Sequence, residues 1–213
     1  RIPVHRVYCV GKNYADHARE MGGDPARETP CFFSKPADAI SHDREVIPFP
    51  GRTTNLHHEV ELVVVLGSEG YQVSPEQANG LIFGYAVGFD LTRRDLQSAA
   101  KEAGLPWDVA KGFDYSAPIS TVHPVSRTGY LESAAIRLAV NGELRQNGNI
   151  ADMTWKVPEI LAELSTYFVL RPGDCIFTGT PAGVGRVMPG DTLHGVIETL
   201  DELTVQVGNR DDT

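Results

Sequence analysis

Glycine and proline interrupt this sequence at short intervals, which limits the length of the helices and strands that it can form. The chain has 21 glycines and 14 prolines in 213 residues. Between them, apolar and polar residues alternate in short runs, as they do from Ile136 to Val140 before the turn signal Asn141-Gly142. This pattern favours many short elements over a few long helices. We therefore predict an α+β fold that is mostly β.

Local signals place the elements along the chain. Capping, stop and periodicity signals predict helices over residues 13–22, 74–83, 92–103 and 158–168. Thr92 with Asp95 forms a capping-box variant in the third of these, and Gly104 is its stop signal. Strands are predicted at residues 6–10, 58–66, 84–91 and near 203–207. No repeat or linker divides the sequence, so we expect one domain over residues 1–213.

Charge and cysteine content exclude several classes of protein. The chain carries 28 acidic against 19 basic side chains, a net charge of −9, whereas nucleic-acid binding needs clustered lysine and arginine. The sequence has three widely spaced cysteines, Cys9, Cys31 and Cys175. An odd number at such spacing predicts neither a disulfide framework nor a zinc site. We expect each cysteine to pack as a small apolar residue. The longest apolar run, residues 62–66, is too short to span a membrane. Without a leader pattern, we expect a cytoplasmic protein.

The most informative stretch is residues 57–65, His-His-Glu-Val-Glu-Leu-Val-Val-Val. Side chains alternate along a strand, so Glu59 and Glu61 share one face, and the apolar run that follows indicates a strand covered on both faces. Two carboxylates on a covered face repel each other and lose hydration unless a cation compensates them. A hard divalent cation is one interpretation. A solvent-exposed pair, or a pair neutralised by arginine, is the other.

A third carboxylate, Asp90, lies near the end of the predicted strand 84–91. Ala86 and Gly88 share its face, and such small neighbours would leave room for a ligand beside the carboxylate. Asp90 therefore strengthens the cation interpretation.

Two predicted helices carry polar groups that could act with these carboxylates. Arg94, Gln97 and Lys101 are three and four residues apart, so they share a helix face directly after Asp90. His17 and Glu20 are three residues apart on the first helix, and a carboxylate beside an imidazole orients the ring as a general base requires. Solvent-exposed helix faces produce the same spacings, so these residues could belong either to a functional site or to an ordinary exposed surface.

Two further patterns are not interpreted as sites. The glycine-rich residues 178–185 look like a phosphate-binding loop, but neither Gly-Lys-Ser/Thr nor a dinucleotide fingerprint accompanies them. The histidines His57, His58, His123 and His194 lack the spacing of zinc ligands.

Seven segments, in chain order, resemble the fumarylacetoacetate hydrolase superfamily. They are CVGKNYADH (9–17), FSKP (33–36), LHHEVEL (56–62), GY (84–85), FDLTRRDLQ (89–97), AKGFD (110–114) and TGTPAGVG (178–185). The sequence is most similar to the short acylpyruvate or fumarylpyruvate hydrolases of this family, over about residues 5–207. The resemblance implies a mixed β-sandwich roll with a few peripheral helices, usually assembled as a homodimer.

The resemblance also implies roles for individual residues. It matches the ligands of one Mg²⁺ or Mn²⁺ ion per chain to Glu59, Glu61 and Asp90. It matches the water-activating base to His17, oriented by Glu20, and the donors to substrate oxygens to Lys111, Arg94 and Gln97, with Lys111 counted among the catalytic groups. Thr180 matches the substrate loop, and Lys35 is a further candidate for substrate contact.

The reaction implied by the resemblance is hydrolysis of a carbon–carbon bond in an acylpyruvate such as fumarylpyruvate, giving pyruvate and an organic acid in aromatic catabolism. The alternatives are oxaloacetate decarboxylation or dienoate isomerisation within the family, and a non-catalytic metal- or acid-binding protein of the same fold. The pair of His17 and Glu20 favours hydrolysis, since decarboxylation needs no such base. The loop at residues 22–30 is a candidate lid, and Arg19 or Arg27 are candidate partners for a distal carboxylate.

Overall fold

The computed structural model describes residues 3–20, 22 and 29–209 of the chain. Sixteen strands and six helices lie within these residues. The strands are β1 (Val7–Gly11), β2 (Cys31–Lys35), β3 (Ile40–His42), β4 (Val46–Ile47), β5 (Leu56–His58), β6 (Val60–Leu66), β7 (Ile82–Phe89), β8 (Thr92–Arg93), β9 (Ala117–Ile119), β10 (His123–Pro124), β11 (Ala135–Val140), β12 (Glu143–Asn149), β13 (Cys175–Phe177), β14 (Gly185–Val187), β15 (Thr192–Ile197) and β16 (Leu203–Val207). The helices are α1 (Ala15–Glu20), α2 (Pro75–Ala78), α3 (Arg94–Ala103), α4 (Asp108–Lys111), α5 (Val125–Thr128) and α6 (Val157–Tyr167).

The strands form three sheets. The largest has the order β2-β1-β13-β6-β7-β9-β3, with β10 paired to β7; the second has the order β12-β11-β15-β16-β4 and the third β14-β5-β8. In the largest sheet β1 runs parallel to β13, whereas β6 is antiparallel to both of its neighbours. Mixed sheets with short helices confirm the predicted fold class.

The main core lies between the first two sheets. Leu62 of β6 and Phe89 of β7 belong to it, and Gly195 of β15 lies so close that a Cβ there would stand 2.5 Å from the Phe89 ring. Val63 and Val65, on the other face of β6, belong to a second, smaller cluster. β6 is therefore covered on both faces, as its apolar run predicts.

Several predicted elements are confirmed, with small shifts at their ends. Asn141 and Gly142, both at positive φ (52° and 82°), join β11 to β12 in the predicted hairpin. β16 occupies the predicted residues, whereas Glu59 separates the predicted strand 58–66 into β5 and β6.

The helix predictions need three corrections. Helix α2 has the expected capping box at Ser74 but ends at Ala78, because a 3₁₀ turn (Asn79–Leu81) leads into β7. Helix α3 begins at Arg94, because Thr92 pairs with β5, and Asp95 accepts hydrogen bonds from residues 53 and 54 instead of capping the helix. Helix α6 ends one residue before Phe168, which is 40% exposed.

None of the described helices is long and apolar enough to cross a membrane.

Asn13 connects three segments rather than capping α1, which is a further correction. Its buried side chain donates to the Trp155 and Thr178 carbonyls, at 3.0 and 2.8 Å, and accepts the Trp155 N–H at 2.7 Å.

Cys31 is exposed, unlike the expected apolar packing residue, while Cys9 and Cys175 are buried. Most of the proposed lid at residues 22–30 lies outside the described residues.

Gly88 makes room for the core and not for a ligand, which corrects its predicted role. A Cβ at this position would lie 2.5 Å from Val63 Cγ2 and 2.7 Å from Phe177 Cε1. The space beside the β7 backbone is therefore filled by these two side chains, and the sheet packs tightly directly behind Asp90.

We expect Gly88→Ala to lower the free energy of unfolding by about 1–3 kcal/mol, because an added methyl group forces Val63 or Phe177 out of place. Urea denaturation measures this change. Gly80→Ala is the matched control, since a Cβ at Gly80 meets nothing within 4 Å. Equal stability of the two variants would contradict this description of the packing.

Candidate active site

Three carboxylates meet where β5, β6 and β7 come together. Glu59 lies between β5 and β6, Glu61 is on β6, and Asp90 directly follows β7. The Asp90 N–H donates to the Glu59 carbonyl at 2.9 Å, and Glu61 pairs with Gly88 across the two strands. One oxygen of each carboxylate lies within 4.8 Å of the others, and all three residues are buried. The predicted convergence of these three residues is confirmed.

Two basic side chains compensate Glu59. Lys111, at the end of α4, holds its Nζ 2.9 Å from Glu59 Oε2, and Arg94, at the start of α3, donates to Oε1. Burial alone raises the pKa of Glu59, but the charges of Lys111 and Arg94 outweigh it and hold the pKa well below its ordinary value. The arginine-neutralised carboxylate that the sequence left open is therefore present at Glu59.

Asp90 also lies between two ammonium groups. Lys111 Nζ is 2.6 Å from Asp90 Oδ2, and Lys35 Nζ is 2.8 Å from Oδ1. Burial lowers the pKa of Lys111, but Asp90 and Glu59 outweigh it and raise the pKa above the ordinary value, so the ammonium group stays charged. Lys35 also donates hydrogen bonds to the carbonyls of Leu91 and Lys111, which hold its ammonium group beside Asp90. This geometry favours anchoring of Asp90 over the predicted contact of Lys35 with substrate.

Glu61 is the carboxylate without such compensation. It accepts the Gly179 N–H at 2.7 Å, and within the described ranges no lysine or arginine lies at ion-pair distance from it. Burial raises the pKa of Glu61 well above its ordinary value, and the charges of Asp90 and Glu59 raise it further. A divalent cation would supply the missing positive charge, and three carboxylate oxygens form a donor set that suits Mg²⁺ or Mn²⁺. These residues fit the metal ion.

A cleft leads from solvent to the carboxylates, and His17 lies in its wall. His17 is 7% exposed, and its Nδ1 is 3.3 Å from Glu20 Oε2. Glu20 in turn accepts the Gly183 N–H at 3.2 Å, which ties α1 to the glycine-rich loop. Because Nδ1 faces Glu20, Nε2 is the nitrogen that remains to exchange a proton in the cleft.

Arg94 and Gln97 line the same cleft as a connected pair. Arg94 Nη1 donates to Gln97 Oε1 at 2.5 Å, so the amide nitrogen of Gln97 remains as a donor in the cleft. Arg94 Nε also lies 3.4 Å from His57 Nδ1. Burial and Arg94 lower the pKa of His57 to about 4, so a neutral imidazole accepts this contact at neutral pH.

Thr180 borders the cleft, but its hydroxyl group is already used within the protein. It donates to the Val60 carbonyl at 2.7 Å and accepts from Gln146 Nε2 at 2.8 Å. Gln146 Oε1 accepts the Val60 N–H and faces His58 Nδ1, both within 3.1 Å. The Thr180 side chain therefore fixes the loop against β6, which leaves its main chain as the part that can face a substrate.

Sequence reasoning missed several residues of this site. Gln146 is fully buried in a strand whose neighbours face solvent, and it contacts His58 from 88 positions away, so no local signal marks it. Lys12 and Trp107 line the cleft but carry no motif by themselves. By contrast, the sequence did indicate Lys101 through its spacing after Arg94 and Gln97, and this residue also lines the cleft.

Comparison with known proteins agrees with this arrangement. The profile described as fumarylacetoacetate (FAA) hydrolase C-terminal matches residues 6–208. The chain belongs to the fumarylacetoacetate hydrolase family. This family membership confirms the predicted resemblance, and the fold agrees with a solved member. Fumarylpyruvate hydrolase from Pseudomonas aeruginosa, in complex with Mn²⁺ and pyruvate, superposes with a TM-score of 0.96 at 50% identity, over 98% of this chain and 91% of that one.

Relatives within the fumarylacetoacetate hydrolase family have more than one activity. Fumarylpyruvate hydrolase of a Ralstonia species is 42% identical over 185 residues, 87% of this chain and 96% of the relative. Oxaloacetate tautomerase of Escherichia coli (strain K12) is 44% identical over 192 residues, 90% of this chain and 87% of the relative. Family membership therefore shows an enzyme fold, and the choice of reaction depends on the cleft.

We expect Glu61→Gln to abolish stabilisation by Mn²⁺, because it removes the carboxylate whose charge the cation balances. At a Mn²⁺ concentration of 100 Kd, binding stabilises a protein by about 2.7 kcal/mol, so thermal unfolding with and without Mn²⁺ resolves the loss. Without metal, the variant should unfold no earlier than wild type, because a buried uncompensated charge is gone.

Glu102→Gln is the matched control, since Glu102 is an exposed carboxylate on α3. It should keep the full Mn²⁺ shift. A Glu61→Gln protein that also keeps the shift would contradict the assignment of the metal site.

Proposed function

We propose that this protein is a metal-dependent hydrolase that cleaves a carbon–carbon bond in acylpyruvates, R-CO-CH₂-CO-COO⁻, to give pyruvate and an organic acid. One observation carries the proposal: a histidine held by a carboxylate, His17 with Glu20, lies in the same cleft as a carboxylate cluster that fits a divalent cation. Hydrolysis needs both a base for water and a positive charge for the departing fragment.

Different residues would bind the cation and the substrate. Glu59, Glu61 and Asp90 would hold the cation, which supplies Lewis-acid stabilisation to the oxygens of the pyruvate end. Lys111 uses two of its three N–H donors on Glu59 and Asp90, so one remains for a substrate oxygen. The amide nitrogen of Gln97 and the main chain at Thr180 are further donors toward the substrate.

His17 performs the proton transfer in this mechanism. Its Nε2 takes a proton from a water molecule as the water oxygen attacks the acyl carbonyl carbon, while Glu20 stabilises the charged ring. The bond between the acyl carbon and the CH₂ group then breaks. Its electron pair goes to the CH₂ carbon, which leaves as the enolate of pyruvate. That carbon takes the proton back from His17 Nε2, which restores the neutral base, and the acyl group leaves as the acid.

A second candidate reaction is supported by the Escherichia coli relative, an oxaloacetate tautomerase. Tautomerisation moves a proton between carbon and oxygen of a 2-keto acid and uses no attacking water. The decarboxylation and dienoate isomerisation considered from the sequence likewise need no hydrolytic water. His17, positioned by Glu20, favours hydrolysis over decarboxylation, which needs no base, but it would serve tautomerisation equally well. Hydrolysis is preferred over tautomerisation because a fumarylpyruvate hydrolase is 50% identical to this chain. A homodimer, a cytoplasmic location and a part in aromatic catabolism belong to the same proposal.

We expect His17→Gln to lower kcat for acetylpyruvate hydrolysis by about 10²–10⁴-fold, the usual contribution of a general base. Mn²⁺ affinity should change little, since His17 is not among the carboxylate ligands. Asp16→Asn, with an 80% exposed side chain on the same helix, is the control and should retain activity.

Wild-type protein is assayed in parallel with acetylpyruvate, fumarylpyruvate and oxaloacetate. The proposal requires that kcat/KM for at least one acylpyruvate exceed the values for tautomerisation and decarboxylation of oxaloacetate. The opposite order would replace hydrolysis with the second candidate.

A further inference from the structure

Lysine is concentrated around the cleft. The chain has five lysines, Lys12, Lys35, Lys101, Lys111 and Lys156. Three of them line the cleft, and Lys35 lies directly beneath it against Asp90. In a chain with a net charge of −9, this distribution indicates that the cleft receives anions.

Lys111 and Lys35 compensate the metal-site carboxylates, whereas Lys12 and Lys101 do not. In the part of the chain that the structure describes, neither Lys12 nor Lys101 forms an ion pair or a hydrogen bond. Lys101 holds its Nζ 5.0 Å from the centre of the Trp107 ring, a cation–π contact that positions the charge without neutralising it. Burial lowers the pKa of Lys101, and Arg94 and Lys12 lower it further, as expected for cations that share one space.

The backbone at Lys12 is fixed although its side chain is exposed. Asn13, the next residue, is fully buried and bound to residues 155 and 178. Lys12 itself has φ +58°, a left-handed conformation that is uncommon for a residue with a side chain. The backbone conformation at Lys12 is therefore fixed by its neighbours, and it places the lysine side chain at the cleft.

The position of Lys101 on α3 separates it from the metal site. Arg94, which contacts Glu59, is seven residues earlier on the helix, or about 10 Å at 1.5 Å per residue. Gln97 lies between them, and all three residues line the cleft. A substrate whose pyruvate end is held at the carboxylate cluster would direct its acyl end along this wall, toward Lys101.

We propose that Lys12 and Lys101 form a carboxylate-binding subsite that selects acylpyruvates whose acyl group ends in a second carboxylate. This proposal rests on the proposed function and specifies which class of acylpyruvate the enzyme accepts. It replaces the residues suggested by the sequence: Arg19 is paired with Asp16 on an exposed face, and Arg27 lies outside the described residues.

Binding of stable 2-keto acids tests the subsite without any hydrolysis. 2-Oxoheptanedioate has the chain length of fumarylpyruvate and a carboxylate at each end, whereas 2-oxoheptanoate has the same chain without the second carboxylate. Isothermal titration of the Mn²⁺-loaded protein should give a Kd about tenfold lower for the dianion, the usual gain from a charge-assisted contact. Lys12→Gln and Lys101→Gln should each reduce this preference, the double variant should abolish it, and Lys101→Arg should retain most of it.

Arg127→Gln is the matched control, because Arg127 is exposed on α5, outside the cleft lining. It removes the same charge and should leave the preference intact. Equal weakening of both ligands in the lysine variants would overturn the subsite and indicate a general attraction of anions. So would the absence of a preference in wild type. Because this readout needs no turnover, a protein that prefers the dianion but hydrolyses no acylpyruvate would refute the proposed function and leave the subsite standing.

Discussion

The charge balance around three buried carboxylates is the constraint on which the rest of this site depends. Three basic groups, Lys35, Lys111 and Arg94, neutralise Asp90 and Glu59. Glu61 has only a main-chain N–H among the described contacts of its carboxylate. Burying such a charge is costly unless a cation approaches it. The protein therefore contains a cleft that is electrostatically incomplete at one position, and a divalent cation completes it.

Close packing of strands and helices around the carboxylates produces this charge balance. The side chains of Val63 on β6 and Phe177 on β13 fill the space beside Gly88 on β7. The pairing of β6 with β7 holds Glu61 and Asp90 next to each other. Helices α3 and α4 then bring Arg94 and Lys111 against the carboxylates. Asn13 and Gln146 attach the glycine-rich loop to the rest of the chain, and Glu20 connects His17 to that loop, so the proposed base is held by the same framework.

The convergence of the three carboxylates could be predicted from the sequence because it depends on local geometry. Alternation places Glu59 and Glu61 together, and Asp90 ends the neighbouring strand. Roles that depend on distant contacts were less accessible: Lys35 meets Asp90 across 55 positions (90 − 35), and the Gln146 side chain serves two strands and a loop. The expected room at Gly88 was a misinterpretation, since a small residue marks close packing as readily as a ligand cavity.

The most direct test of this account is to locate the cation. A crystal grown with Mn²⁺ and measured at the manganese absorption edge should show one strong anomalous peak per chain. The peak should lie about 2.0–2.4 Å from one oxygen each of Glu59, Glu61 and Asp90, the range for hard cations on oxygen. No peak at these residues, with Mn²⁺ in excess, or a peak that omits Glu61, would contradict the central claim.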